Sequence, residues 1–184
     1  MGSGGRSGSS SGSADAQAKP AGGGATEAVG PPARLLFVCT GNTCRSPLAE
    51  AITRCAAKRR GWSSIEVKSA GIFGPEGSPA SEHAIRVAAE HGLDLRAHRA
   101  RMLRREDLEW ADLVLGMTSA HLDHVRYLSP VVPVELLTHY LPADHRGRDS
   151  AVPDPIGGHL SDYLEVWGTL SRAIEGLLDT WRPR

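Results

Sequence analysis

The chain has 184 residues, and its 21 Lys and Arg balance 21 Asp and Glu, giving a formal net charge of zero at pH 7. That balance excludes a global field aimed at nucleic acid or an anionic membrane, and no stretch approaches the roughly 20 apolar residues of a membrane span. Three cysteines, an odd number without a secretory leader, predict free thiols in a reducing, cytoplasmic setting.

Residues 1–32 are mostly Gly, Ser, Ala and Pro, with no aromatic. Such a stretch buries too little apolar surface to offset its ordering entropy, which predicts a disordered tail. Its opening, MGSGGRSGSSSGS, reads in part as a cloning remnant, and no apolar core follows to make it a signal peptide. Residues 33–184, roughly 150 positions, suit one domain with a sizeable core.

RLLFVC (34–39) is a short apolar run bounded by Pro-Pro and Gly-Asn, which predicts a buried strand. From Pro47 to Arg60, Leu48, Ile52, Cys55 and Ala56 fall on one helical face, with Gly61 as the stop. IEVKSAG predicts a second strand ending at Gly71. SPASEHAIRVAAEHG predicts a helix opening at Ser78-Pro79, with Ala84, Ile85, Ala88 and Ala89 inward. The run RAHRARMLRRED (96–107), basic and then acidic, reads as a solvated helix flank. ADLVLGM predicts a third strand, and PVVPVELL a fourth that Pro133 places at an edge. His121 and His124 share a helix face at metal-like spacing, but no cysteine or carboxylate cluster accompanies them, so they read as helix surface. Residues 160–181 close the chain as an amphipathic helix with Leu164, Trp167, Leu170, Ile174, Leu177 and Leu178 recurring. Alternating strands and helices predict a single-domain α/β fold. Its four-stranded, mainly parallel sheet carries helices on both faces in a Rossmann-like arrangement.

Ligands on such sheets sit at the carboxyl ends of the strands, and VCTGNTCRSPLAEA lies at the end of the first. Gly41 and Asn42 both tolerate left-handed backbone and let the loop curl into an anion-binding nest. Ser46-Pro47 starts a helix whose unpaired N–H groups face the same hollow. Arg45 adds a planar fork matched to two phosphate oxygens. Cys39 falls at the base of the nest. Thiols beside helix N-termini and guanidiniums exist largely as thiolates, and a thiolate beneath a bound phosphate is a nucleophile aimed at phosphorus. Cys55, on the buried helix face, reads as core packing.

This loop resembles the signature of the low-molecular-weight protein tyrosine phosphatases, and Thr43 looks like their protein-arginine-phosphatase branch. The resemblance continues through SAGIF, HGLDLRAHRAR, ADLVLGMT and PDPIGG, over essentially residues 34–181. It implies Cys39, Arg45 and Asp154 as the catalytic residues, with Asp154 as general acid and then general base, stiffened between two prolines. It implies Thr40, Gly41, Asn42, Thr43, Cys44 and Arg45 around the phosphate. Asn42, Ser46, Ser69 and His98 match positions that hold the loop's curl. Cys44, inside the nest, is expected to pair with Cys39 under oxidation. No cofactor and no metal are expected, and the expected partners are phosphorylated proteins met by a monomer.

Thr43 sets the expected substrate. The tyrosine-directed branch usually carries a larger aliphatic side chain there and aromatic residues directly after Asp-Pro. Here Asp154-Pro155 is followed by Ile156, Gly157 and Gly158, and no aromatic comes before Tyr163. A pocket poor in stacking surface favours phosphoarginine, although Phe73 leaves room for phosphotyrosine. A thioredoxin-coupled arsenate reductase would need further cysteines after Cys55, and there are none. A phosphocarrier must preserve its phosphocysteine, which Asp154 as hydrolytic base argues against.

Overall fold

The computed structural model describes Met1 and residues 34–145 and 151–181; the predicted tail over 1–32 lies outside the described residues. The apolar runs become β1 (Arg34–Cys39), β2 (Glu66–Gly71), β3 (Leu113–Gly116) and β4 (Val134–Leu136). They form one sheet in the order β2-β1-β3-β4, with every pairing parallel. β1 is central and covered on both faces: Leu35, Leu36, Phe37 and Val38 are all fully buried. A strand enclosed in this way has no need of polar alternation, which is why RLLFVC reads as a continuous run. β4, entered through Pro133, pairs with β3 and forms an edge.

Side-chain alternation along β1 feeds two cores. Leu35 and Phe37 pack with α1 (Arg45–Arg59), α2 (Glu82–Glu90) and α5 (Leu160–Asp179) on one face. Leu36 and Val38 pack with α3 (Arg105–Trp110) and α4 (Ser119–Leu128) on the other. α3 is a helix of six residues that hydrophobic periodicity does not mark.

Several inward-facing residues differ from expectation. α2 starts at Glu82 rather than at Ser78-Pro79, and Ser81 caps it by accepting from the Ala84 N–H. Residues 78–81 are instead tied to other strands of chain: Ala100 N–H donates to the Ser78 carbonyl at 2.7 Å, and Ser81 N–H to the Thr43 carbonyl at 2.8 Å. The buried stripe of α2 is Ala84, Val87 and Ala88, while Ile85 is half-buried and Ala89 exposed. On α5, Tyr163 and Val166 are buried and Leu164 is exposed; Trp167 is half-buried and stacks on His91. Cys55 is only half-buried, beside Arg59, rather than in the core. Thr53 takes a place on the inner face of α1, its hydroxyl satisfied by donating to the Ala49 carbonyl at 2.8 Å.

From β1 the chain passes through α1 to β2 on one side, and β3 then lies on the other side of β1. The carboxyl ends of β1 and β3 therefore flank a topological switch point, where a crevice opens between diverging connections.

Candidate active site

The loop Thr40–Cys44 joins β1 to α1 at that switch point. Asn42, with φ of 52°, is the non-glycine residue with left-handed backbone among the described residues. Of the two residues that tolerate left-handed backbone there, Asn42 adopts it and Gly41 does not. Asn42 is completely buried, and its polar atoms are all engaged. Its Nδ2 donates to Ser46 Oγ and to Ser69 Oγ, each at 2.9 Å. Its Oδ1 accepts from the Arg101 N–H at 3.0 Å, and its carbonyl accepts from His98 Nε2 at 2.7 Å. A costly backbone conformation persists only where its surroundings over-determine it. Here Ser46, Ser69, His98 and Arg101 supply that constraint. Gly71 is required alongside: a Cβ there would lie 2.7 Å from the Thr40 carbonyl.

Cys39, 2% exposed, lies beneath the loop. The Asn42 N–H points at its sulfur from 3.3 Å. Ser46 Oγ lies 3.0 Å from the same sulfur and accepts from Asn42 Nδ2, so its proton goes either to that sulfur or to the Ala70 carbonyl at 3.5 Å, the sulfur being the nearer. Both contacts stabilise negative charge on Cys39.

Arg45 is buried at the first turn of α1. Its Nη1 donates to the Val152 carbonyl at 3.3 Å, and its Nη2 to Thr40 Oγ1 at 3.2 Å and to Asp154 Oδ2 at 2.5 Å. Its Nε is buried with no hydrogen-bond partner among the described residues. Val152 is fully buried and donates to the Met117 carbonyl, so the segment carrying Asp154 is anchored at the end of β3. Asp154 itself remains 42% exposed at its side chain, open to solvent on one side and on a guanidinium on the other. That placement suits a group exchanging protons with substrate and water.

Cys39, Thr40 and Arg45 form the floor of a cleft of about 550 Å³. Phe73, Pro75, Pro79 and Ile156 give it apolar walls, while Thr43, Glu82 and Asp154 add polar ones. Phe73 is 69% exposed and Ile156 66%, so the walls hold more apolar surface than the bare Asp-Pro-Ile-Gly-Gly segment suggests. Cys44 is buried and free, with Ser81 Oγ at 3.2 Å and Tyr163 OH at 3.4 Å. Burial, with the Cys44 sulfur beside it, pushes the Tyr163 phenol up to about 12. Another cleft, around Trp62 between α1 and β2, holds none of these groups.

Sequence reasoning placed His121 on a helix surface; it is 2% exposed and faces the loop. Its Nε2 lies 3.1 Å from Thr40 Oγ1, and its Nδ1 accepts from the Thr118 N–H at 3.1 Å. Burial, and secondarily the Arg45 charge, hold the imidazole down at about 4. The available signal was position: His121 follows closely on β3, whose carboxyl end borders the crevice. His124 is half-buried, edge-on to Phe73 at 5.8 Å.

A cysteine beneath a strained loop, a buried arginine and an aspartate on a proline-bounded segment thus meet at one cleft. The chain belongs to the low molecular weight phosphotyrosine protein phosphatase family, whose model matches residues 34–182. It is 40% identical over 148 residues to a protein-arginine-phosphatase of Geobacillus stearothermophilus, covering 80% of this chain and 95% of that one. It is 38% identical over 157 residues to a low molecular weight protein-tyrosine-phosphatase of Streptomyces coelicolor, covering 82% and 94%. Among solved structures, a low molecular weight protein tyrosine phosphatase from T. tengcongensis superposes with a TM-score of 0.72 at 42% identity, over 79% of this chain and 97% of that one. An arginine phosphatase from Geobacillus stearothermophilus does so with a TM-score of 0.69 at 38% identity, over 79% and 90%.

Proposed function

We propose that this chain removes phosphate from arginine side chains of proteins through a phosphocysteine intermediate on Cys39. The observation that carries the substrate choice is the polar side of the cleft, where Thr43, Glu82 and Asp154 face it together. Among the described residues the Thr43 hydroxyl makes one long contact, to Cys44 Sγ at 3.6 Å, which leaves it available to a ligand. A guanidinium leaving group is flat and rich in N–H donors, and carboxylates and hydroxyls are its natural partners. The protein-arginine-phosphatase relative supports the same reading.

In the mechanism this implies, the Cys39 thiolate attacks phosphorus as the P–N bond breaks. Arg45 and the loop N–H groups hold the equatorial oxygens as charge spreads over them. Asp154 donates a proton to the departing nitrogen, then accepts one from the water that cleaves the P–S bond. Ser46 donates to the sulfur as it leaves. Cys44 gives Cys39 a nearby thiol to pair with under mild oxidation, protecting it from irreversible products. Mild peroxide should then inactivate the enzyme reversibly with a Cys39–Cys44 bond; a map showing any other pairing, or none, removes that role.

A second reading, phosphotyrosine, draws on the exposed Phe73 and Ile156, which offer a phenyl ring apolar contact. Relative kcat/KM for phosphoarginine and phosphotyrosine peptides, in wild type and in Thr43→Ile, decides between them. Losing a polar partner costs about 1–3 kcal/mol, and an added apolar contact gives the ring about 1 kcal/mol. The ratio should move by roughly 10²-fold. A wild type that prefers phosphotyrosine overturns the arginine reading, and an unmoved ratio removes Thr43 as its determinant.

A further inference from the structure

We propose that His121 is a positioning residue that fixes the Thr40 hydroxyl as a hydrogen-bond donor into the phosphate pocket, an inference that rests on the Cys39–Arg45 loop being the phosphate site. The deduction begins with the Thr118 N–H, which can only donate. It points at Nδ1 of His121 from 3.1 Å, and the Thr118 hydroxyl, 3.0 Å from the same nitrogen, can turn its proton there too; because the N–H cannot accept, Nδ1 carries the lone pair and the ring proton sits on Nε2. Nε2–H therefore donates to Thr40 Oγ1, at 3.1 Å. The same oxygen accepts from Arg45 Nη2 at 3.2 Å. A threonine hydroxyl has two acceptor lone pairs and one proton. With both lone pairs occupied, Thr40 has its proton left to give, and its side chain lines the cleft beside Cys39, Arg45 and Asp154.

The arrangement has a functional consequence in the direction of the dipole. Without His121, the Thr40 hydroxyl is free to turn its lone pair toward the pocket and repel a phosphoryl oxygen. With His121, it arrives oriented, needing no rearrangement as charge develops, which is how preorganised donors lower a barrier. Arg45 benefits as well. Nη2 is held between Thr40 and Asp154, so fixing Thr40 fixes one edge of the guanidinium. A protonated imidazole would point an N–H at the Thr118 N–H and add charge beside Arg45. The buried ring, held neutral, avoids both.

The test is a double-mutant cycle read with para-nitrophenyl phosphate turnover and competition by inorganic phosphate. His121→Asn keeps a carbonyl oxygen where Nδ1 accepts from Thr118 and loses the donor to Thr40. His121→Gln carries an amide N–H at the reach of Nε2. Thr40→Val removes the hydroxyl at equal size. His121→Asn should lower kcat and weaken phosphate by about 10- to 100-fold, at or below the roughly 10²–10³ lost when a donor is removed outright. His121→Gln should recover most of that. In the Thr40→Val background, His121→Asn should add less than about twofold, because its partner is already gone. A merely structural histidine would cost the same with or without the Thr40 hydroxyl, and that additive result overturns the proposal. Should His121→Asn fail to fold, Thr40→Val decides alone: wild-type turnover and phosphate affinity in that variant also overturn it. The wild type and Cys39→Ser keep this separate from the phosphatase reading. A wild type that neither turns over the ester nor binds phosphate sinks that reading, whereas an active wild type with an inert Cys39→Ser leaves the cycle to judge His121.

Discussion

Asp154 has one carboxylate oxygen on the Arg45 guanidinium, and the other accepts from the Ile156 N–H at 3.3 Å. Prolines on both sides restrict its backbone. In the proposed mechanism a group so placed meets the leaving group, and its 42% exposed side chain is wet enough to exchange a proton. Asp154→Asn is nearly isosteric and removes the proton chemistry. It should slow turnover by the roughly 10²–10⁴-fold typical of losing a general acid or base. The loss should be smallest for esters whose leaving groups depart without a proton. Rates for a series of aryl phosphates of graded leaving-group acidity measure this, and an equal loss across the series would mark Asp154 as structural. Cys39 and Arg45 stood out from residue types and spacing, a thiol and a guanidinium on a loop built to curl, whereas Asp154 was named through the family resemblance. The loop-holding roles of Asn42, Ser46, Ser69 and His98 likewise came through the resemblance, and Arg101 was missed, since their bonds are tertiary contacts that no local spacing encodes.

Elements were legible where one face is uniformly apolar and a glycine or proline marks the end. β1 needed only its enclosed apolar run, and α1 ends at Arg59 just before Gly61, whose φ is 72°. The start of α2 was not legible, because Ser78-Pro79 is a sound helix opening that tertiary hydrogen bonds to Ala100 and Thr43 divert. The inner face of α5 was misread by one position at Leu164 because Tyr163 is drawn inward, its hydroxyl meeting Cys44. The seat of α5 depends on a close approach that composition hides. Gly176 lies where a Cβ would run into the Tyr140 carbonyl, in the 3₁₀ turn Leu137–Tyr140. Alanine is the better helix former by about 1 kcal/mol, yet it would have to push two backbones apart. Gly176→Ala should therefore destabilise the fold by about 1–3 kcal/mol, the usual scale for overpacking. Urea denaturation measures it, and a stabilised variant would show that α5 and the 3₁₀ turn have room for the methyl group.

At the scale of the whole molecule, the sheet order places the ends of β1 and β3 side by side, and the site draws on both. β1 delivers Cys39 and its loop; β3 delivers Met117, which anchors Val152, and leads into His121. Burying an imidazole there ties global stability to pH. The folded ring titrates at about 4 against an ordinary 6.5, through burial first and then Arg45, with Asp154 opposing and His124 adding slightly. Between those values the unfolded chain binds a proton that the folded chain refuses, so stability falls as pH falls through that window. The contribution is fully present above about 6.5 and changes no further below about 4. One pKa unit corresponds to about 1.4 kcal/mol; with solvent screening allowed for, acidification from pH 7.5 to pH 5 should cost about 1–2 kcal/mol through this group. The informative quantity is the difference between wild type and His121→Asn. Urea midpoints at both pH values should show the variant losing less on acidification than the wild type does. Equal losses would mean that His121 charges in the folded protein without penalty, which rules out a neutral ring accepting at Nδ1.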